Sequence, residues 1–474
     1  MRTTAPIPRR LATRRSPARP LVTLLMGLAV VSATGFATGL APSDVRAAEP
    51  ATRSDPVATF RPRSSTPVWP TATGPIILGE TVTFLGRGYG HGVGMNQYGA
   101  RGRALDGQTA ETILAHYYRD TTLGSVPTDT AIRVRLFSAL GASTSKPLVL
   151  WGRRGEWQID GVGTTFPANT RLEVRPTASG GTVSWRVKVI ASDGAILRDA
   201  KIGTFRVRGL TSATIFEVDA KPASADTYRG AIRVGLRSTA ATASVTNETT
   251  LELYLRGVVP AEMPSSWPTE ALRAQAIAAR SYAARRLRPD TSYFDVVDDS
   301  SSQVYLGLKG ERSPTTSAIS ASAGVVLKKG TEIANAMFHS TGGGATEHNE
   351  NVYVSSTGAV VAGAVSYLRG NADRRPDGSA WDDAAPYAIW ATATYSRDQL
   401  SAWFAGDPRT NVGDLTALDL TDRGVSGRLR SVTLIGSSGT KTVSGQVFRS
   451  VFAAARPASD PSIRSTLFDT LPIP

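Results

Sequence analysis

The stretch 251–287, LELYLRGVVPAEMPSSWPTEALRAQAIAARSYAARRL, constrains the fold more than any other part of the chain. It reads as an apolar run, a proline-bracketed turn with one carboxylate, and a long helix. Leu253, Tyr254, Leu255, Val258 and Val259 form a short apolar cluster, which predicts a buried strand. Pro260 and Pro264 punctuate the turn, because proline fixes φ and has no N–H to donate. Ser265 or Ser266 is the expected N-cap, Pro268 suits the first helical turn, and Glu270 lies where the helix dipole favours an acid. Leu272, Ala276, Ala279, Ala283 and Leu287 recur at helical spacing and give that helix an apolar face. Glu262 is thus expected on a loop between a buried strand and a rigid helix, where functional residues are often carried.

Composition narrows the classes. A chain of 474 residues with 41% hydrophobic and 7% aromatic content has two or three domains' worth of core and is not a disordered polymer. It contains no cysteine, which excludes a disulfide framework, Cys-ligated zinc and a thiol nucleophile. The net charge is +14; the first 47 residues hold seven Arg against one Asp, so the remainder keeps +8. A basic protein suits an anionic partner.

Residues 1–47 read as an export signal. A basic start (Arg2, Arg9, Arg10, Arg14, Arg15, Arg19) precedes an apolar run over 21–41, and Val45-Arg46-Ala47 offers small residues at a cleavage site. The protein is therefore expected outside the cell or in the wall, touching the membrane only through this segment, which would anchor the chain if left uncleaved. Residues 48–83 read as a linker and first strand. In 84–123, FLGRGYGHGVGMNQYGARG has glycines at 86, 88, 90, 92 and 94, which predicts an extended segment with one bare face open to another backbone or a ligand. It matches neither the dinucleotide fingerprint nor the phosphate loop. A short helix capped by Thr109 follows, with Ile113, Leu114, Tyr117 and Tyr118 inward.

Alternation at 132–137, 182–190 and 204–208 makes 124–227 β-rich, and its outward Arg and Lys read as a solvated sheet face ahead of a specific polyanion site. Beyond 228 come another sheet segment, the central stretch, a helix near 314–323, a strand pair around 325–327 and 333–338, a capped helix over 396–404, and a strand, turn, short helix and strand ending at Phe468.

Candidate chemistry centres on Glu262. Its neighbours Pro260, Ala261, Met263 and Pro264 are apolar, and a carboxyl in such surroundings has its pKa raised, as a general acid near neutrality requires; the plain alternative is an exposed loop glutamate. His339 ends a strand before Ser-Thr-Gly-Gly-Gly and could bind a sugar, hold a metal, relay a proton or simply hydrogen-bond. His91 carries the same alternatives. Ser340 is not in a G-x-S-x-G elbow, since Phe338 fills the first glycine position. A metal site would need His91, His339 and carboxylates to converge without any H-E-x-x-H spacing.

Four segments resemble the SpoIID/LytB (stage II sporulation protein D / amidase enhancer) family: 258–282 with its V-x-x-E-M-P, Ser302-Gln303-Val304-Tyr305-Leu306-Gly307, 338–344 with Glu347 and Asn351, and 86–102 with its GHGVGM. The resemblance implies an α+β fold: a β-rich SpoIID-like catalytic core over 228–470 with a long central helix, and an inserted all-β accessory module over 124–227. In the family the GHGVGM segment closes the domain. Here it precedes it, so 84–123 is expected to fold back beside the C-terminal strand.

The resemblance also implies a lytic transglycosylase acting on peptidoglycan glycan strands, with Glu262 as catalytic acid. Arg280, Tyr282, Gln303, His339, Ser340, Thr341, His91 and Gln97 fall on motif positions and would position the sugar. Some members bind zinc through His and Cys; the absence of Cys speaks against it here, so no cofactor is expected. The competing expectation, from the LytB side, is a non-catalytic wall-binding enhancer of an N-acetylmuramoyl-L-alanine amidase. No nucleic-acid partner is expected, and membership does not by itself imply sporulation.

Overall fold

Alternating apolar and polar residues between 131 and 250 fold into two sheets whose inner faces share one core. A seven-stranded sheet runs Val296–Val297, Ala131–Gly141, Thr242–Thr250, Ala231–Leu236, Phe205–Gly209, Trp157–Ile159 and Thr165–Phe166. A six-stranded sheet runs Ile196–Ile202, Thr182–Ile190, Thr170–Ser179, Leu148–Arg153, Ile215–Val218 and Thr227–Tyr228. The computed structural model describes residues 73–179, 181–289 and 292–470. The expected export signal and residues 48–72 of the linker lie outside the described residues. The fold is α+β, β-rich and predominantly antiparallel.

The boundary expected at 227/228 does not separate these strands. Ala131–Gly141 pairs along Thr242–Thr250, with Thr246 opposite Arg135, so the strands expected in an accessory module share a sheet with those expected in the core. One cluster, including Val134, Leu150, Trp157, Val187, Val234 and Val245, extends to Leu251, Tyr254, Leu255, Val258 and Val259. Burial of this size is what offsets the chain entropy of ordering so many strands.

The run 251–259 is a helix, not a strand. Helix α3 spans Leu251–Glu262 and is capped by the Thr250 hydroxyl, which accepts from Leu253 N–H at 3.3 Å. Its buried residues Leu251, Tyr254, Leu255, Val258 and Val259 follow i, i+3, i+4, i+7, i+8, the spacing of one helical face. Pro260 sits in the last turn.

Helix α4, Thr269–Ala284, is the long central helix; its N-cap position is Pro268 without a side-chain cap, rather than Ser265 or Ser266. Ala276, Ala279 and Ala283 face the two-sheet core, while Ala271, Leu272, Ala274, Ile277 and Ala278 face a second cluster. Small side chains on both faces let it run through the interior. Leu287 lies past its end and is half-buried.

The second cluster is completed by the 84–123 segment. Helices α1, Gln97–Leu105, and α2, Ala110–Tyr117, pack on α4. Thr109 caps α2, accepting from Thr112 N–H at 3.3 Å, and Ile113, Leu114, Tyr117 and Tyr118 are buried. Glu270 of α4 accepts from Ala110 N–H at 2.7 Å, so one carboxylate serves two helix starts.

The glycine run before α1 is not extended. Gly88, Gly90, Gly92 and Gly94 all have positive φ, and the chain loops tightly over strand Phe338–His339. A Cβ on Gly94 would lie 2.0 Å from Met337 O, and one on Gly92 2.5 Å from the Arg428 guanidinium. The bare face is covered by backbone and by a buried arginine.

Leu85–Arg87 lies between Ile389–Ala391 and Phe468–Asp469, with Gly86 opposite Phe468. Val325–Lys329 pairs with Glu332–Ile333, but Phe338–His339 pairs in parallel with Met95–Asn96 instead. A third core, around Phe84, Phe404, Phe448 and Phe452, lies under the sheet of Ile76–Ile77, Leu415–Asp419, Ser431–Gly436 and Gly439–Ser444.

Candidate active site

Glu262 is the last residue of α3, not a loop residue. The side chain keeps part of its surface open, yet its carboxyl is enclosed, and burial pushes its pKa up from the ordinary 4.5 to about 7. The partial negative charge at a helix C-terminus acts in the same direction. Two donors work against the rise: the Gln97 side chain and the Val304 backbone N–H. Among the described residues no second carboxylate figures among the groups acting on it.

Those two donors come from distant parts of the chain. Gln97 opens α1 and is brought to α3 by the packing of α1 on α4; its Nε2 also lies 3.4 Å from Gln275 Oε1. Val304 belongs to the Ser-Gln-Val-Tyr-Leu-Gly loop. Leu306 N–H donates to Gly257 O of α3 at 3.2 Å, and a Cβ on Gly257 would lie 2.7 Å from the Tyr305 ring. The missing side chain lets the loop press on the helix and aim Val304 N–H at the acid. Gln303 is buried, accepting from Tyr254 O–H at 3.1 Å.

Tyr282 faces the same carboxyl. Its hydroxyl pKa is raised, first by burial; Arg286 opposes the rise and the Glu262 charge adds to it. The Arg286 guanidinium lies 3.3 Å from the Tyr282 ring centroid, and its Nη1 donates to Tyr282 O and Asn335 Oδ1. Glu262, Gln97, Tyr282 and the Gln303–Val304 loop are therefore assembled at one place.

The other expected residues are placed differently. Arg280 is completely buried and binds Glu252 through Nε and Nη2, both at 2.8 Å, and also the Val325 and Ile319 carbonyls. It is a strut between α3, α4 and the strand Val325–Lys329. His339 is buried, its Nδ1 3.2 Å from Val93 O, and Thr341 is fully buried with its hydroxyl 3.3 Å from Ser340 Oγ. Their strand runs beside Met95–Asn96, and Tyr98 N–H donates to Ser340 O, so it supports Gln97 from behind.

His91 accepts from Val93 N–H at Nδ1 and is also bonded to the Phe338 backbone. Burial, then Arg428, holds its pKa down at about 4. His339 is pushed well below the usual range by burial, His91 and Arg428. The two rings lie 5.5 Å apart with a guanidinium as neighbour, and among the described residues no group of three or more His, Asp or Glu could hold a metal ion.

Sequence reasoning passed over Arg428, Asp373 and Trp267. Arg428 is buried under the glycine loop, donating to Gly342 O and Ala345 O, and burial lowers its pKa to about 10. Asp373 gathers Asn96, Arg103 and Tyr117. Burial alone would raise its pKa, but bonds to His116, Arg103 and Tyr117 hold it well below the carboxylate range. The Trp267 ring lies 4.7 Å from that of Tyr98. Only Trp267 had a local signal, as an aromatic beside the Glu262 turn; the others brace segments hundreds of residues away.

Residues 239–328, which carry α3, α4 and the Val304 loop, match the family model of SpoIID, Stage II sporulation protein. Through this region the chain is similar to proteins of the SpoIID/LytB family. It is 30% identical over 186 residues to the "Amidase enhancer" of Bacillus subtilis, covering 36% of this chain and 25% of that protein. It is 32% identical over 189 residues to "Stage II sporulation protein D" of Bacillus amyloliquefaciens, covering 35% of this chain and 49% of that protein. Over 45 residues it is 49% identical to "Stage II sporulation protein D" of Bacillus subtilis, covering 10% and 13%. The chain thus spans half or less of the length of these curated relatives. No solved structure matches it.

Proposed function

We propose that the protein is an exported, peptidoglycan-active lytic transglycosylase that cleaves glycan strands to 1,6-anhydro ends with Glu262 as its one acid and base. The observation that carries this reading is a lone carboxyl poised at about 7, with an amide and a backbone N–H as its partners and, among the described residues, no second carboxylate acting on it. Ordinary glycoside hydrolysis uses two carboxyl groups, one of them to activate water or attack the sugar. The lytic route needs one. Protonated Glu262 gives its proton to the glycosidic oxygen as the C1–O bond breaks. The sugar's own C6 oxygen then closes on C1, and the Glu262 carboxylate takes the proton that oxygen releases. No water is consumed and the acid is restored. The attacking group is already tethered, which supplies the effective molarity of an intramolecular reaction.

Within this reading Gln97 and Val304 N–H stabilise the carboxylate stage, Tyr282 lines the sugar site, and Trp267 with Tyr98 offers aromatic faces to a sugar ring. The 84–123 segment is part of the catalytic unit, because it supplies Gln97. The name of the Bacillus subtilis relative favours a second reading, an enhancer of a wall amidase that binds glycan without cleaving it.

Mass spectrometry of peptide-free glycan strands after incubation with the protein and its Glu262→Gln variant separates the two. Anhydro-ended products from the wild type alone are expected. Reducing-end products would mean hydrolysis, and no products from either protein, on stripped or intact strands, would leave the enhancer reading.

A further inference from the structure

On the side of α3 away from Glu262 lies an open groove of about 1010 Å³. At about 100° per residue, Glu262 points roughly 180° away from Leu253, which lines this groove, so the two sites occupy opposite faces of one helix. Seven arginines line it: Arg133, Arg206, Arg208, Arg229, Arg233, Arg256 and Arg288. Four carboxylates answer them. Asp295 pairs with Arg133, Glu248 with Arg206 and at 3.9 Å with Arg233, Asp160 with Arg208, and Glu311 with Arg229.

Arg256 and Arg288 have no carboxylate partner among the described residues. The Nε of Arg256 is buried without a hydrogen-bond acceptor, and no intramolecular carboxylate among the described residues neutralises the guanidinium. Arg233 and Arg288 are held over the rings of Tyr293 and Phe294, at 4.8 and 4.9 Å, which pre-orients their forks.

We propose that this groove binds a linear polyol-phosphate polymer. Arginine forks match phosphate oxygens bidentately, and several forks in a row match a repeating charge. The rest of the lining is hydroxylic (Thr211, Ser212, Thr214, Thr249 and Thr250), as suits a polyol. Its nearest aromatic rings, Tyr293 and Phe294, are engaged by Arg233 and Arg288, so the arginine forks and hydroxyls, not a row of stacking faces, dominate the lining. The groove is at the upper end of the volume that a small ligand fills, room for more than one repeat. Docked here, the polymer would hold the protein on a phosphate-rich surface while Glu262 faces the other way. This proposal stands whether or not Glu262 cleaves glycan.

Fluorescence anisotropy with labelled poly(glycerol phosphate) and the full chain tests it. About three phosphates engaged would weaken binding about 20-fold or more between 50 and 200 mM salt. Replacing Arg233, Arg256 and Arg288 by Ser should cost about tenfold at low salt and flatten that dependence, whereas changing Arg397, Arg409 and Lys441 to Ser should cost less than about twofold. Arg288 is exposed and has no carboxylate partner among the described residues, so Arg288→Glu should by itself cost several-fold, with a matching far-UV spectrum and unfolding midpoint as the check on folding. Unchanged affinity in Arg288→Glu overturns the proposal, as does equal or tighter binding of an oligothymidylate of the same charge through the same arginines.

Discussion

Replacing Glu262 by Gln should stabilise the protein at alkaline pH and leave its stability nearly unchanged in acid. The native carboxyl holds its proton to about 7, while the unfolded chain releases it near 4.5. A raised folded-state pKa contributes stability that is fully present below the unfolded value and is lost as pH rises through the folded one. The wild type therefore loses this contribution across the window from about 4.5 to about 7. At about 1.36 kcal/mol per pH unit, the loss totals about 3 kcal/mol, an upper figure because one side of Glu262 is open to water. Gln has nearly the shape of the protonated acid and does not ionise, so the variant does not share the loss. Urea unfolding of both proteins at pH 4.5, 6 and 8 reads the difference directly. Curves that diverge with rising pH, the variant becoming the more stable, are expected. Parallel behaviour over the whole range would refute the argument that burial governs this carboxyl.

Gln97→Leu removes a bond that lowers the Glu262 pKa, so the alkaline limb of glycan cleavage should move to higher pH, read as a shifted pH–rate profile. Arg280→Met strands a Glu252 carboxylate in the interior and should cost about 3–5 kcal/mol in denaturant unfolding; a raised KM with unchanged stability would instead return Arg280 to the sugar site. Gly94→Ala should destabilise more than Gly107→Ala. Both have positive φ and each substitution costs about 1–2 kcal/mol for that, but only the Gly94 methyl meets a carbonyl, at 2.0 Å, whereas Gly107 has open space. Equal unfolding midpoints for the two would show that the loop over Met337 yields.

How far the chain could be read depended on how far away each residue's partner lies. Thr109 before Ile113 and Leu114, and Ser396 three residues ahead of Gln399, declare helix starts because capping acts within one turn. The face of α4 was legible for the same reason, and the apolar residues around Glu262 in the chain pointed in the direction of its raised pKa. The strand reading of 251–259 weighed residue type over spacing, although Leu251, Tyr254, Leu255, Val258 and Val259 already carry the helical period. That error moved Glu262 from a loop to a helix end, where the backbone dipole joins burial against its charge.

The rest required the tertiary structure. Arg280 and Gln97 both read as polar motif residues. One is neutralised inside the core by Glu252, and the other is carried across the fold by α1 to meet Glu262. Local sequence determined the capped helix starts and the apolar face of α4, since those depend on periods and caps spanning a few residues. Only the packing of α1, α3 and α4 decided which polar side chains would be cancelled by a buried partner and which left to act on Glu262, because pairing across the fold depends on distances that chain spacing does not encode.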